Sequence, residues 1–224
     1  MIKAVVYDLD GTLIDSTDAI VHCFFHTFDV LGLPHPQREA VVKSIGYTLE
    51  QQFSLLTDAD PCECTRIYRE RYGQICCDMT VLLPGAEESL RLFAKAGLRI
   101  GFASSKRRQF AEMILRHLSV LDYFAVRIGP DDVIHPKPHP EAVAKSAEML
   151  GVSPRELFFI GDTHFDVLAA RAAGVRCLCV TTGYATREEL IELQPEAVFD
   201  SLLDLTRYAL DSIARGEPRI PASA

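Results

Sequence analysis

The chain has 224 residues, 48% of them apolar and 24% charged, with a formal net charge of −8. That length suits one α/β domain, or one core carrying a smaller insert, and it is ample for a hydrophobic core. The acidic balance argues against a binder of nucleic acid or anionic membranes. No apolar stretch reaches membrane-spanning length, and seven cysteines without a leader-like opening point to a reducing, cytoplasmic setting.

The first apolar run, "IKAVVYD", is short and β-branched, as a buried strand is. It ends in Asp8 and Asp10 on either side of Leu9, and Gly11-Thr12 then breaks it. From about Asp15 to Leu83 no strand pattern occurs. "DAIVHCFFHTFDVLG" sets Ile20, Phe24, Phe28 and Leu31 at helical spacing, with Asp15 or Ser16 placed to cap it. "EAVVKSIGYTLEQQFSLL" and "CTRIYRERYGQICCDM" also read as helices.

Alternation begins near Pro84-Gly85. "GAEESLRLFAKAG" stops at Gly97, "HPEAVAKSAEMLG" at Gly151 and "DVLAARAAG" at Gly174, each with one apolar face. Between them lie the strand-like runs "LRIGFAS", "YFAVRIG", "LFFIGD" and "VRCLCVTT". The tail "GEPRIPASA", Gly216 to Ala224, reads as frayed. The pattern predicts a doubly wound parallel sheet formed by 1–14 and 84–224, with a small α-helical insert at 15–83.

In such a sheet, ligands bind beyond the carboxyl ends of the strands. Asp8 and Asp10 stand at one such end; Ser104, Ser105 and Lys106 follow a second strand, Lys137 a third, and Asp162 and Asp166 a fourth. Several carboxylates around one point suit Mg²⁺, which takes carboxylates, water and substrate phosphate as ligands. Lys137 adds a positive charge, Ser104 a hydroxyl donor, and Gly11 room for a phosphate oxygen near backbone N–H groups. Asp8 can then attack phosphorus as a carboxylate nucleophile, and Asp10 can protonate the leaving oxygen and later activate water.

Other features read as structural. His22 and His26 are i, i+4 but lack a third ligand, and Cys62-Glu63-Cys64 and Cys76-Cys77 lack zinc spacing. Cys177 and Cys179 alternate along a strand, which puts them in the core. Lys106-Arg107-Arg108 reads as the solvated first turn of a helix, and the place of His164 stays open. Walker loop, nucleophile-elbow serine and dinucleotide glycines are all missing.

"DLDGTLIDS" resembles the first motif of the haloacid dehalogenase-like hydrolases, D-x-D-G-T-[LV]. Ser104 in "GFASSK", Lys137 in "KPHP" and "GDTHFDVLAARAAG" are similar to the second, third and fourth, in order along nearly the whole chain. The insert resembles the small helical cap of the phosphoglycolate phosphatase-like subgroup, and "SIGYTLEQQF" its cap segment around a glycine. The resemblance implies Asp8 as nucleophile and metal ligand, and Asp10 as general acid/base with its backbone carbonyl on the metal. Asp162 becomes the third ligand, with Asp166 supporting it directly or through water. Ser104, Ser105, Gly11 and Lys137 surround the phosphate. Dehalogenases of the family lack the second acid, so Asp10 implies phosphate ester chemistry. The implied function is a Mg²⁺-dependent, aspartyl-phosphate phosphatase for a small phosphorylated metabolite such as 2-phosphoglycolate, working as a monomer or homodimer. The alternatives are a pyrophosphatase or nucleotidase, or a β-phosphoglucomutase-like phosphomutase. For the mutase, His22 falls two residues beyond the marker histidine's place. Tyr47, Arg66, Arg69 and Arg71 are candidates for substrate contact from the cap.

Overall fold

The amino-terminal run forms strand β1, Ala4–Tyr7, and all four residues are buried in the computed structural model, which describes residues 1–215. The tail expected to fray lies outside the described residues. After β1 come β2 (Ile14–Asp15) and four helices: α1 (Thr17–Val30), α2 (Arg38–Lys43), α3 (Leu49–Leu56) and α4 (Pro61–Ile75). Strand β3 (Val81–Leu82) closes this stretch. The alternating part runs α5 (Ala86–Lys95), β4 (Arg99–Ala103), α6 (Arg108–His117), β5 (Phe124–Ile128), α7 (Glu141–Met149), β6 (Leu157–Gly161), α8 (His164–Ala172), β7 (Arg176–Val180), α9 (Arg187–Glu192), β8 (Ala197–Phe199) and α10 (Leu202–Arg215).

Among the described residues six strands make one sheet, in the order β5-β4-β1-β6-β7-β8, and every pairing is parallel. The doubly wound α/β fold expected from the alternation is therefore the fold observed. The period of two assigns the core residues. Val5 and Tyr7 join Ile100, Phe102, Phe158 and Ile160 on one face, while Ala4 and Val6 join Phe159, Cys177 and Cys179 on the other. Each buried side chain of the size of Phe158 or Phe159 stabilises the fold by about 1.5–3 kcal/mol. The cysteine pair is core, as the alternation required.

Three expectations change. Val81–Leu82 pairs antiparallel with Ile14–Asp15, so two short strands lie where none was expected. A sixth strand, β8, joins the sheet edge. The run read as one helix over 39–56 divides into α2 and α3, because Gly46 takes φ +111° and a Cβ there would meet the Phe165 ring at 2.7 Å. Thr48 then starts α3 with a capping box to Gln51. The helices between β2 and β3 share an aromatic core in which Phe24 lies 4.5 Å from Phe53 and 5.3 Å from Tyr68, ring to ring. Among the described residues no helix is long and apolar enough to cross a membrane.

Strand β1 sits between β4 and β6, where the winding reverses. The crevice of a doubly wound sheet opens at that point, beyond the carboxyl ends of these strands.

Candidate active site

Asp8 follows β1 directly, and its N–H continues the ladder to the Ile160 carbonyl at 2.8 Å. Asp162 follows β6 in the same way. Gly161 has no room for a Cβ, which would lie 2.4 Å from the Asp166 side chain. The first turn of α8 therefore folds back over the strand end. One oxygen of each of Asp8, Asp162 and Asp166 falls within 4.8 Å of the others, and all three side chains are buried.

Lys137 reaches this cluster from the loop after β5. Its Nζ lies 2.6 Å from Asp166 Oδ1 and 3.1 Å from Asp8 Oδ1. The Asp166 contact is a hydrogen bond, whereas the Asp8 contact has ion-pair distance without hydrogen-bond geometry, so Asp8 Oδ1 is buried with no hydrogen bond of its own. The other Asp166 oxygen, Oδ2, accepts from the Thr163 hydroxyl at 2.7 Å and from the N–H groups of Thr163 and Asp162 at 3.0 and 3.2 Å. Asp166 thus holds Lys137 and the turn together. Asp162 accepts from the Thr12 hydroxyl at 2.7 Å and the Tyr184 N–H at 3.0 Å, both neutral donors.

Three carboxylates against one ammonium leave two negative charges unbalanced. At this separation each like-charge pair costs on the order of 3 kcal/mol at an effective dielectric of about 20. Burial pushes the Asp8 carboxyl up to about 6; Lys137 opposes the rise, and Asp166 and Asp10 add to it. Burial also lifts Asp162 well above the carboxylate range, with Asp166 and Asp8 adding to the effect. For Lys137 burial favours the neutral amine, but Asp166 and Asp8 outweigh it and hold the charge. A hard divalent cation fits this donor set. The ligands are all oxygens, one of them has no hydrogen bond, and two positive charges would balance the cluster.

Asp10 stands beside this group. Its carboxylate does not share the cluster but accepts a short bond from Ser16 Oγ and lies 3.2 Å from Lys106 Nζ. Lys106 also bonds the Tyr72 hydroxyl, and its side chain is only 7% exposed. The reading of Lys106-Arg107-Arg108 as one solvated turn is therefore corrected. Arg107 and Arg108 pair with Asp131 and Asp132 outside, while Lys106 turns inward to the general acid/base candidate.

The remaining predicted residues divide. Ser104 is buried at the end of β4, beside β1. Ser105 turns toward the helical insert and donates to the Gly46 carbonyl at 2.8 Å. Gly11 has φ +81°, and its N–H donates to the Ile14 carbonyl at 2.9 Å instead of facing open space. A Cβ there would lie 2.4 Å from Asp162 Oδ2, so the glycine serves the approach of Asp162. His22 is exposed and bonds Arg71, and Arg66 pairs with Glu63 and Glu70 on the surface. His164 is exposed and lines an outer groove with Lys43 and Tyr184. Tyr47 and Arg69 line a cavity of about 70 Å³ between the insert and the sheet edge, together with Asp10, Ser105 and Lys106.

The loop after β7 escaped the sequence reading. Thr182 Oγ1 donates to the Gly11 carbonyl at 2.8 Å, and Gly183 packs so closely that a Cβ would lie 1.8 Å from Asp162 Oδ2. Its local signal was a glycine at a strand end, in "TTGY".

A model of the haloacid dehalogenase-like hydrolase family matches residues 5–180. Pyrophosphatase PpaX of Bacillus cereus is 32% identical over 204 residues, which cover 91% of this chain and 94% of that one. The phosphoglycolate phosphatase of Salmonella typhimurium is 31% identical over 229 aligned residues, covering 91% of each. A Bacteroides fragilis crystal structure assigned to the haloacid dehalogenase-like hydrolases is 32% identical. It superposes with a TM-score of 0.87 over 92% of this chain and 100% of its own.

Proposed function

This chain belongs to the haloacid dehalogenase-like hydrolases, and from that premise we propose that it is a Mg²⁺-dependent phosphatase that works through an aspartyl-phosphate on Asp8. The substrate is a small phosphorylated metabolite, with a phosphomonoester such as phosphoglycolate as the first reading. The observation that carries the proposal is the buried cluster of three carboxyl groups, Asp8, Asp162 and Asp166, around the single Lys137 amine, with an unbonded Asp8 oxygen.

In the first step an Asp8 oxygen forms a bond to phosphorus while the bond to the leaving oxygen breaks, and Asp10 supplies the proton that oxygen needs. In the second step Asp10 takes a proton from water, the water oxygen bonds phosphorus, and the acyl-phosphate bond breaks. Inorganic phosphate leaves and Asp8 is restored. Asp8, Asp162 and the main-chain carbonyl of Asp10 hold the cation, with Asp166 within reach. The bound cation supplies charge neutralisation around the phosphoryl group. Lys137 and Ser104 hold that group, with Ser105 and Gly11 nearby, and Lys106 keeps the Asp10 carboxylate in place.

Residues 15–83 act as the cap and 1–14 with 84–224 as the core. The enzyme is proposed to be cytoplasmic, monomeric or homodimeric, with neither nucleic acid nor membrane as partner. A pyrophosphatase is the second reading, favoured by the similarity to PpaX. The phosphomutase reading loses its marker, since His22 is exposed against Arg71 and the cavity beside Asp10 is lined without it.

A panel of phosphorylated metabolites and pyrophosphate, assayed for phosphate release with and without Mg²⁺, tests the proposal. Turnover of at least one compound only with metal is expected. No release from any of them would overturn it.

A further inference from the structure

The cavity between the helical insert and the sheet edge is lined by Asp10, not by Asp8. If Asp10 protonates the leaving oxygen, this space receives the part of the substrate that departs. The inference therefore rests on the phosphatase reading above. At about 70 Å³ the cavity holds only a few non-hydrogen atoms. Much of its wall is aromatic, with Tyr47, Tyr68 and Tyr72 contributing.

Three cations stand in that wall, and one of them, Arg107, pairs outward with Asp131. Lys106 is committed to Asp10 and Tyr72. Arg69, on α4, is only partly committed. Its Nη2 donates to Glu50 Oε1 at 2.8 Å, and the Glu50 side chain is itself 46% exposed. Arg69 Nε is buried and has no hydrogen-bond partner. A buried guanidinium N–H without an acceptor is rare in folded proteins, because its lost hydration is not replaced. A guanidinium offers a planar fork suited to carboxylate or phosphate oxygens.

We propose that Arg69 binds a second anionic group on the leaving side of the substrate. The substrate class is then a small phosphate compound with a carboxylate or a second phosphate a few atoms from the transferring phosphorus. Both group types offer oxygens that suit the fork of the Arg69 guanidinium, whose side chain lines the cavity and is 30% exposed. An uncharged leaving group would offer the guanidinium no such partner.

The test compares phosphoglycolate, pyrophosphate and an aryl phosphate with an uncharged leaving group, for wild type, Arg69→Ala and Arg69→Lys. Thermal unfolding of each variant reports folding. Loss of a charge-assisted fork should lower kcat/KM for at least one anionic-tail substrate about tenfold or more beyond the loss on aryl phosphate. The change should fall mainly in KM, and Arg69→Lys should recover part of it. Equal losses on all three substrates in the folded variants would overturn the proposal. Should wild type turn over neither these three nor any other compound of the metabolite panel, the phosphatase reading fails. The Arg69 proposal is then decided by calorimetric binding of phosphoglycolate, which must weaken in Arg69→Ala and is refuted by unchanged affinity.

Discussion

Lys106 Nζ lies 3.2 Å from Asp10 Oδ1, and both side chains are nearly buried, at 7% and 11% exposure. Burial disfavours the ammonium, but Asp10 and the Tyr72 hydroxyl outweigh it and keep Lys106 charged. The pair aims the one carboxylate that stands outside the acidic cluster. Removing the cation leaves Asp10 buried beside Ser16 alone.

Lys106→Met is therefore expected to destabilise the protein by about 3–5 kcal/mol, the usual cost of breaking a buried ion pair from one side. It should also lower kcat about 10- to 100-fold by misplacing the general acid/base. Denaturant unfolding and steady-state kinetics check both numbers. Wild-type stability in Lys106→Met would show that the pair does not hold Asp10.

The second prediction concerns pH and metal. Asp8 titrates near 6 in the folded, metal-free protein against 3.8 for a free side chain, because burial opposes its ionisation. A group raised in this direction contributes its stability below the unfolded value and loses it as pH rises through the folded value. The metal-free protein should therefore lose stability between about pH 4 and 6 from Asp8, and Asp162, which burial lifts well above the carboxylate range, carries the loss to higher pH. Mg²⁺ binds the ionised form, so its stabilising effect should grow over the same interval. Melting temperatures with and without saturating Mg²⁺ should differ more at pH 7.5 than at pH 5. Equal shifts at the two pH values would contradict this.

Much of this arrangement was legible in the sequence. Strands β1, β4, β5, β6 and β7 declare themselves as short apolar runs, since both faces of the sheet are covered. Asp8, Asp162 and Lys137 follow from strand ends in one edge, and the structure brings them together with Asp166. Strand β8 was missed because Ala197–Phe199 is three residues long and only half-buried at the sheet edge. Lys106 was misread because its burial depends on Tyr72, 34 residues earlier, and no local pattern reports that contact. Gly46 resembled a helix interior until Phe165 filled the space where a Cβ would stand.

Gly183 supplies the third prediction. A Cβ added there would lie 1.8 Å from Asp162 Oδ2 and 2.3 Å from its Cγ, so Asp162 must move. Overpacking of this kind costs about 1–3 kcal/mol. Gly183→Ala should fold with reduced stability and bind Mg²⁺ about tenfold or more weakly, as disturbed supporting contacts do at metal sites. Mg²⁺ titration followed by calorimetry reads the effect. An unchanged affinity would mean that Asp162 is not a ligand.

Ser105 supplies the fourth. Its hydroxyl ties the end of β4 to the Gly46 carbonyl in the helical insert at 2.8 Å. Ser105→Ala removes one neutral hydrogen bond, worth about 1 kcal/mol. The expected result is a small loss of thermal stability together with faster proteolysis of the segment around Gly46. Protection equal to wild type would show that this bond does not hold the insert on the sheet edge.

In the proposed reaction Asp8 itself carries the phosphoryl group during turnover. A single-turnover reaction with a substrate labelled in its phosphoryl group, quenched in acid and followed by peptide mapping, tests it directly. Transient label on the peptide containing Asp8, formed faster than phosphate appears, is the expected result, with none in Asp8→Asn. Phosphate release at full rate with no label at Asp8 would contradict it.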